Sequence, residues 1–267
     1  VKMVGKLVIY WDYELQTGAD QAISTKGKWD GNDDYKQTEK LLNVLNERGI
    51  KSTFAVVGIC GLNGELPYHS PEQIKKMSDF GHDVGSHTFN HEYLPGISLE
   101  DLKKTLRKSK EVLEKVTGKK VVSFVPPHNQ PLEFYGLSIE LKKRKGISKI
   151  KQKDLIRILR ELKYENYRIN HWTPFRNKIL KRFRSYNIRR KNGVTLINVC
   201  CADGFFKPAF DVVKHAVNTG NVGVVYGHPW ALGSLGAQSM EAFMKFLDFL
   251  KPLIDSKKLE IVTAKDL

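Results

Sequence analysis

Short strand-like runs and amphipathic helical stretches alternate along nearly the whole chain, and this alternation constrains the fold more than any other feature. Lys6–Trp11 reads as a buried strand. Asp34–Arg48 carries Leu41, Leu42 and Leu45 at helical spacing and stops at Gly49. Ser52–Val57 is a second strand, and Ser70 caps a helix over Pro71–Phe80 with proline at its first position. Asp83–Ser86 is short and extended. Ser98 and Asp101 have the spacing of a capping box that opens a helix running to Thr117, ended by Gly118. Val121–Val125 is a strand, Lys153–Leu162 a helix, and Thr195–Cys200 and Val222–Tyr226 are strands. Met240–Ile254 is helical and Glu260–Val262 is a last strand. Repeated β-α-β units of this kind predict a parallel sheet or barrel with helices outside, and 267 residues suit one such domain.

The residues that carry chemistry follow the strands. Asp12, His87, Pro126–His128 and His228 all stand just after one, where parallel α/β folds place their active sites. His87 and His91 are four apart, so a helical turn between them would bring two imidazoles onto one divalent ion. Asp12 and Glu14 are two apart, so in an extended chain both carboxylates face one side. His69, His171 and His215 have no motif around them, and His82 is expected to pack or hydrogen-bond locally.

The net charge of +15 is concentrated: residues 138–191 hold 19 Lys+Arg against 4 Asp+Glu, and the rest of the chain is balanced. Such a block points to an anionic partner, here an anionic membrane surface or a lipid phosphate, with a solvated basic surface as the plain alternative. The aromatics in and near it (Tyr164, Tyr167, Trp172, Phe175, Phe183, Tyr186) have the chemistry to stack on bases, but no nucleic-acid motif accompanies them, so nucleic acid is not the expected partner. Cys60, Cys200 and Cys201 make neither a disulfide framework nor a CxxC pair. With no leader-like segment or membrane-spanning run, the expected location is cytoplasmic, peripheral at a membrane.

Five stretches resemble the polysaccharide deacetylase family, also called the chitooligosaccharide deacetylase homology domain. Ile9–Leu15 (Ile-Tyr-Trp-Asp-Tyr-Glu-Leu) is similar to its first motif in the Asp-x-Glu form, and Ser52–Gly58 to the strand that follows. Gly81–His91 (Gly-His-Asp-Val-Gly-Ser-His-Thr-Phe-Asn-His) matches the metal-binding second motif. Ser123–Gln130 resembles the third motif and Val225–Leu232 the last.

The resemblance implies a distorted (β/α)7-type barrel, one α/β domain over 1–267 with basic elaborations at about 138–153 and 176–191. It also implies metal-dependent hydrolysis of an N-acetyl group on a sugar. On that reading His87, His91 and Glu14 hold one divalent metal; two imidazoles and a carboxylate suit zinc first and also tolerate cobalt, nickel or iron. Asp12 is the general base and His228 the general acid, with exchange of roles between Asp12 and Glu14 left open. The third motif normally has an arginine tied to the catalytic carboxylate, and here His128 stands at that place. The family's aspartate that orients the catalytic histidine is not recognisable, and Asp203 is nearest in order. The implied substrate is an N-acetylated amino sugar in a polysaccharide or lipid-linked glycan. The alternatives are a small cyclic amide or imide, or a catalytically degenerate carbohydrate-binding module.

Overall fold

The computed structural model describes residues 4–22, 25–128, 150–169, 188–199, 201 and 203–267. Nine strands form one sheet in these residues: β1 Gly5–Tyr13, β2 Thr53–Val56, β3 Asp83–Ser86, β4 Ser123–Phe124, β5 Asn166–Ile169, β6 Ile188–Lys191, β7 Val194–Asn198, β8 Val222–Gly227 and β9 Leu259–Ile261. The order is β6-β7-β5-β4-β3-β2-β1-β8, with β9 pairing on the first residues of β1. All pairs are parallel except the β6–β7 hairpin, whose turn residues Asn192 and Gly193 both have positive φ, the two-residue turn that suits a twisted hairpin. Among the described residues seven α-helices cover the outside: α1 Leu15–Gln21, α2 Gly31–Glu47, α3 Pro71–Asp79, α4 Leu99–Thr117, α5 Gln152–Glu161, α6 Lys207–Thr219 and α7 Met240–Asp255.

The period-two alternation of β1 sorts its side chains between two cores. Leu7, Ile9, Trp11 and Tyr13 face outward into the large core beneath the helices, where Trp11 packs on Phe205 and edge-on against Phe243. Val8 and Tyr10 face inward, meeting Ala55, Val125, Ile197, Val224 and Tyr226. Asp12 continues this inner row. Its carboxylate bonds Arg168 on β5, four strands away along the sheet. In a flat sheet that separation would be roughly 19 Å, far beyond a guanidinium's reach, so the sheet must curl until β1 and β5 face each other. The curled sheet with outer helices is the barrel-like α/β domain expected.

Where the elements differ from expectation, a local cause is visible. Helix α2 begins three residues before Asp34, because Asp30 and Asp33 form a reciprocal capping box. Ser70 precedes α3 but its side chain makes no capping bond, and the Ser98 hydroxyl does accept from the Asp101 N–H. The β4 strand is only two residues long. Helices α1 and α6 and strands β5 and β6 were not expected at all. The basic stretches 138–149 and 176–187 lie outside the described residues. No described helix is long and apolar enough to cross a membrane.

Candidate active site

The site lies at the C-terminal ends of the strands. It brings together Asp12, Glu14, His87, His91 and His228. Glu14 leaves β1 as the residue before α1, and its Oε1 lies 3.5 Å from His87 Nε2 and 3.3 Å from His91 Nε2. These three residues form one cluster able to hold an ion, and Asp12, Glu14 and His228 form a second that shares Glu14. The spacing itself tests the fit. Ligand atoms about 2.0–2.1 Å from one zinc in tetrahedral geometry stand about 3.4 Å apart. The observed contacts match that separation, and they are long for hydrogen bonds.

His87 is further prepared as a ligand. Its Nδ1–H donates to the Val125 carbonyl at 2.8 Å, which leaves Nε2 as the free lone pair facing Glu14. Burial pushes the Glu14 carboxyl up, but the imidazoles of His91 and His87 outweigh it and hold Glu14 well below the usual carboxylate range.

The two histidines do not converge through a helical turn, as their spacing suggested. No helix runs from His87 to His91; Thr88 (φ 63°) and His91 (φ 57°) take left-handed conformations instead. This loop is held by the N–H groups of Gly58 and Ile59, which donate to the carbonyls of Thr88 and Phe89, and by the Thr105 hydroxyl, which accepts from the Phe89 N–H. Backbone ties, rather than helical periodicity, aim both rings at Glu14.

Asp12 is buried and gripped by Arg168 through two parallel bonds, Nη1 to Oδ1 at 2.6 Å and Nη2 to Oδ2 at 2.5 Å. The guanidinium lies over the rings of Tyr10 and Tyr226, 5.1 and 4.9 Å from their centroids. Burial raises the Asp12 carboxyl, but Arg168, helped by His87 and His228, brings it below its ordinary value. Asp12 is therefore ionised at neutral pH and able to accept a proton. The arginine expected from the third motif thus comes from β5. The His128 ring lies 4.8 Å from that of His91 and 5.7 Å from that of Tyr93, on a residue with φ 55°.

His228 Nε2 sits 3.8 Å from both Asp12 Oδ2 and Glu14 Oε1. Its Nδ1–H donates to Asp203 Oδ2 at 2.8 Å, which makes Asp203 the orienting carboxylate. Burial disfavours the charged ring, but Asp203, with Glu14 and Asp12 adding, lifts the His228 pKa to about 10. A protonated imidazole held in one orientation and pointed at two carboxylates has the makings of a general acid. Trp230, two residues on, is covered on one face by Trp29, with centroids 4.8 Å apart and planes 4° from parallel.

Two residues of the site escaped notice in the sequence. Arg168 was hidden among the basic residues of its segment; its one signal is that it interrupts Tyr167 and Ile169 in a strand-length run. Asp34 is the other. It is wholly buried on α2, and its carboxylate accepts from the backbone N–H groups of Glu14, Leu15 and Trp230. Burial lifts its pKa to about 7 against the pull of the Glu14 and Leu15 N–H groups. An acid in the first turn of a helix reads as a capping residue, so nothing local marked it.

A family model described as polysaccharide deacetylase matches residues 30–139. The Bacillus cereus peptidoglycan-N-acetylglucosamine deacetylase is 27% identical over 105 residues, 39% of this chain and 36% of that protein. The Bacillus subtilis peptidoglycan-N-acetylmuramic acid deacetylase PdaA is 32% identical over 90 residues, 34% of this chain and 32% of that protein. The matched stretch thus spans about a third of these relatives' length. A solved structure described as a polysaccharide deacetylase from Mycobacterium smegmatis superposes with a TM-score of 0.63 at 15% identity, covering 100% of this chain and 89% of that one. A CE4 family pseudoenzyme from Bacillus anthracis does so at 0.53 and 14% identity, covering 100% and 66%. The second motif lies inside the matched stretch, so residues 30–139 are similar to the polysaccharide deacetylase family, and the chain shares the fold of these solved structures.

Proposed function

We propose that this protein is a metal-dependent carbohydrate N-deacetylase that releases acetate from an N-acetylated amino sugar in a polysaccharide or lipid-linked glycan. The observation that carries the reading is the Glu14–His87–His91 triangle beside two differently tuned groups, Asp12 and His228. Glu14, His87 and His91 would hold one divalent metal, and zinc suits two imidazoles and a carboxylate. When bound, it supplies a Lewis acid for the acetyl carbonyl and lowers the pKa of water.

The chain's own residues then divide the proton work. Ionised Asp12, held by Arg168, accepts a proton from the attacking water as its oxygen bonds the acetyl carbon. Protonated His228, held by Asp203, donates from Nε2 to the departing nitrogen as the C–N bond breaks. Acetate and the free amine of the sugar result. The pKa ordering fits: the base is pushed below its ordinary value and the acid well above it.

Acetate release tests the reading, and it matters because the fold is shared with a pseudoenzyme. Elemental analysis should find about one zinc per chain in the parent and none in His87→Ala. N-acetylglucosamine oligomers should then yield acetate in a chelator-sensitive, zinc-restored reaction. A parent that takes up no divalent metal on reconstitution refutes the mechanism.

The basic segment extends the proposal to a membrane-proximal, anionic substrate. Among its described residues, Arg157, Arg160, Lys163, Arg189, Arg190 and Lys191 are exposed. Each contributes roughly 1 kcal/mol toward an anionic bilayer when close to it. Tyr164 and Tyr167, by contrast, are core residues and unavailable to stack on bases. Replacing Arg189, Arg190 and Lys191 by serine should weaken binding to phosphatidylserine vesicles; unchanged binding removes this part of the proposal.

A further inference from the structure

Asp34 touches none of the reacting groups by its side chain, yet it joins the two turns that carry them. Its Oδ2 accepts from the N–H of Glu14 at 2.9 Å and of Leu15 at 2.8 Å, and its Oδ1 accepts from the N–H of Trp230 at 3.1 Å. The first two donors form the corner between β1 and α1. The third begins the 3-10 turn Pro229–Gly233 that directly follows His228. Glu14 and Trp230 are thus fastened to opposite oxygens of one carboxylate that is shut away from solvent.

The corner needs such a fastening. Glu14 occupies the N-cap of α1 without capping through its own side chain. Leu15 has φ 47°, a left-handed conformation that is unfavourable for a branched residue and persists only where its surroundings over-determine it. Helix α2 supplies those surroundings. Its first residue, Gly31, donates to Gln16 Oε1 at 3.0 Å, and an added Cβ on Gly31 would lie 2.5 Å from the Gln16 backbone nitrogen. On the other turn, Trp29 stacks on Trp230, and Gly233 lies so close to the Gln37 side chain that an added Cβ would come within 2.8 Å of it. The first two turns of α2 are therefore wedged between the Glu14 corner and the His228 turn, with Asp34 bonding both.

Resting on the deacetylase reading above, we infer that Asp34 is a positioning residue that sets the distance between the metal ligand Glu14 and the proton donor His228. The two oxygens serve different halves of the site, which makes the idea divisible. Asparagine offers one oxygen and one NH2. With the oxygen toward Glu14 and Leu15, which gives it two donors, the NH2 confronts the Trp230 N–H and that bond is lost. Alanine loses all three.

Purified parent, Asp34→Asn and Asp34→Ala are compared by zinc titration, steady-state acetate release over pH, and thermal unfolding with and without zinc. Asp34→Asn should hold zinc within about threefold of the parent while kcat falls tenfold or more with KM little changed, and the high-pH limb of its profile should move. Asp34→Ala should in addition bind zinc 10–100-fold more weakly, the usual effect of removing an outer support of a ligand. If both variants merely melt earlier, with parental zinc affinity and kcat per folded molecule, Asp34 is structural only and the inference fails. If the parent itself binds no zinc and releases no acetate, the deacetylase reading fails and takes this inference with it.

Discussion

Arg168→Met removes both bonds to Asp12 while keeping much of the side chain's bulk. Asp12 is 3% exposed and Arg168 7% exposed, so the variant leaves a carboxylate buried without its counter-charge. Deleting one partner of a buried pair costs about 3–5 kcal/mol, and two short parallel bonds place this pair toward the upper end. The size of the loss depends on pH in a definite direction. In the parent, Asp12 lies below its ordinary value, so its contribution to stability is complete above the unfolded-state pKa of about 3.9 and is lost only as pH falls through the lower folded value. In the variant, burial is no longer opposed by Arg168 and the Asp12 carboxyl rises above its ordinary value. The variant then escapes the charge by protonating.

The stability gap between the two proteins should therefore be widest near pH 7.5 and narrow by about 1.4 kcal/mol per pH unit once the variant's raised pKa is passed. Urea unfolding of chelator-treated protein at pH 7.5, 6 and 5 measures it. Adding Asp12→Asn to Arg168→Met should return part of the loss at pH 7.5, because the uncompensated charge goes. Arg168→Lys should fall between, since an ammonium keeps the charge but not the fork. A gap below 1 kcal/mol at pH 7.5, or one equal at pH 7.5 and 5, would refute the idea that the pair is a buried charge clamp on the base.

Asp203→Asn removes the anion at His228 Nδ1, so the acid should titrate well below the parental value of about 10. The reaction needs His228 protonated, so the alkaline limb of kcat/KM should move down by at least one pH unit; a limb that stays in place means that His228 is not the group it reports. Gly18→Ala puts a Cβ 2.4 Å from both Cβ and Oε2 of Glu14. Alanine favours a helix interior over glycine by up to ~1 kcal/mol, so any loss must come from the displaced ligand. Zinc affinity should fall at least tenfold with the fold retained, as followed by zinc titration beside circular dichroism, and unchanged affinity would show that Glu14 is not held where zinc needs it.

What could be read in advance follows the range of the interactions. The strand–helix alternation and the Gly118 stop are written in residues a few positions apart, and they hold in the structure. Asp12, Glu14, His87, His91 and His228 could be picked out because each stands in a local motif at a strand end. The missed partners are tied to them across the chain: Arg168 bonds a residue 156 positions away, and Asp34 bonds residues 20 and 196 positions away. Nothing near Arg168 separates it from the other cations of 138–191 except the apolar residues on each side, which become informative only once β5 is known to face β1. His128 drew attention by its motif position, whereas the guanidinium on Asp12 comes from β5, the strand that faces it. Even the histidine pair, legible as residues, was misjudged as backbone, because left-handed Thr88 and His91 are stabilised by Gly58, Ile59 and Thr105 from other elements. In a curled parallel sheet each strand delivers its own catalytic group to a shared mouth, so the groups are found strand by strand. The charges that tune those groups arrive from opposite walls, and those pairings exist only after the sheet has closed on itself.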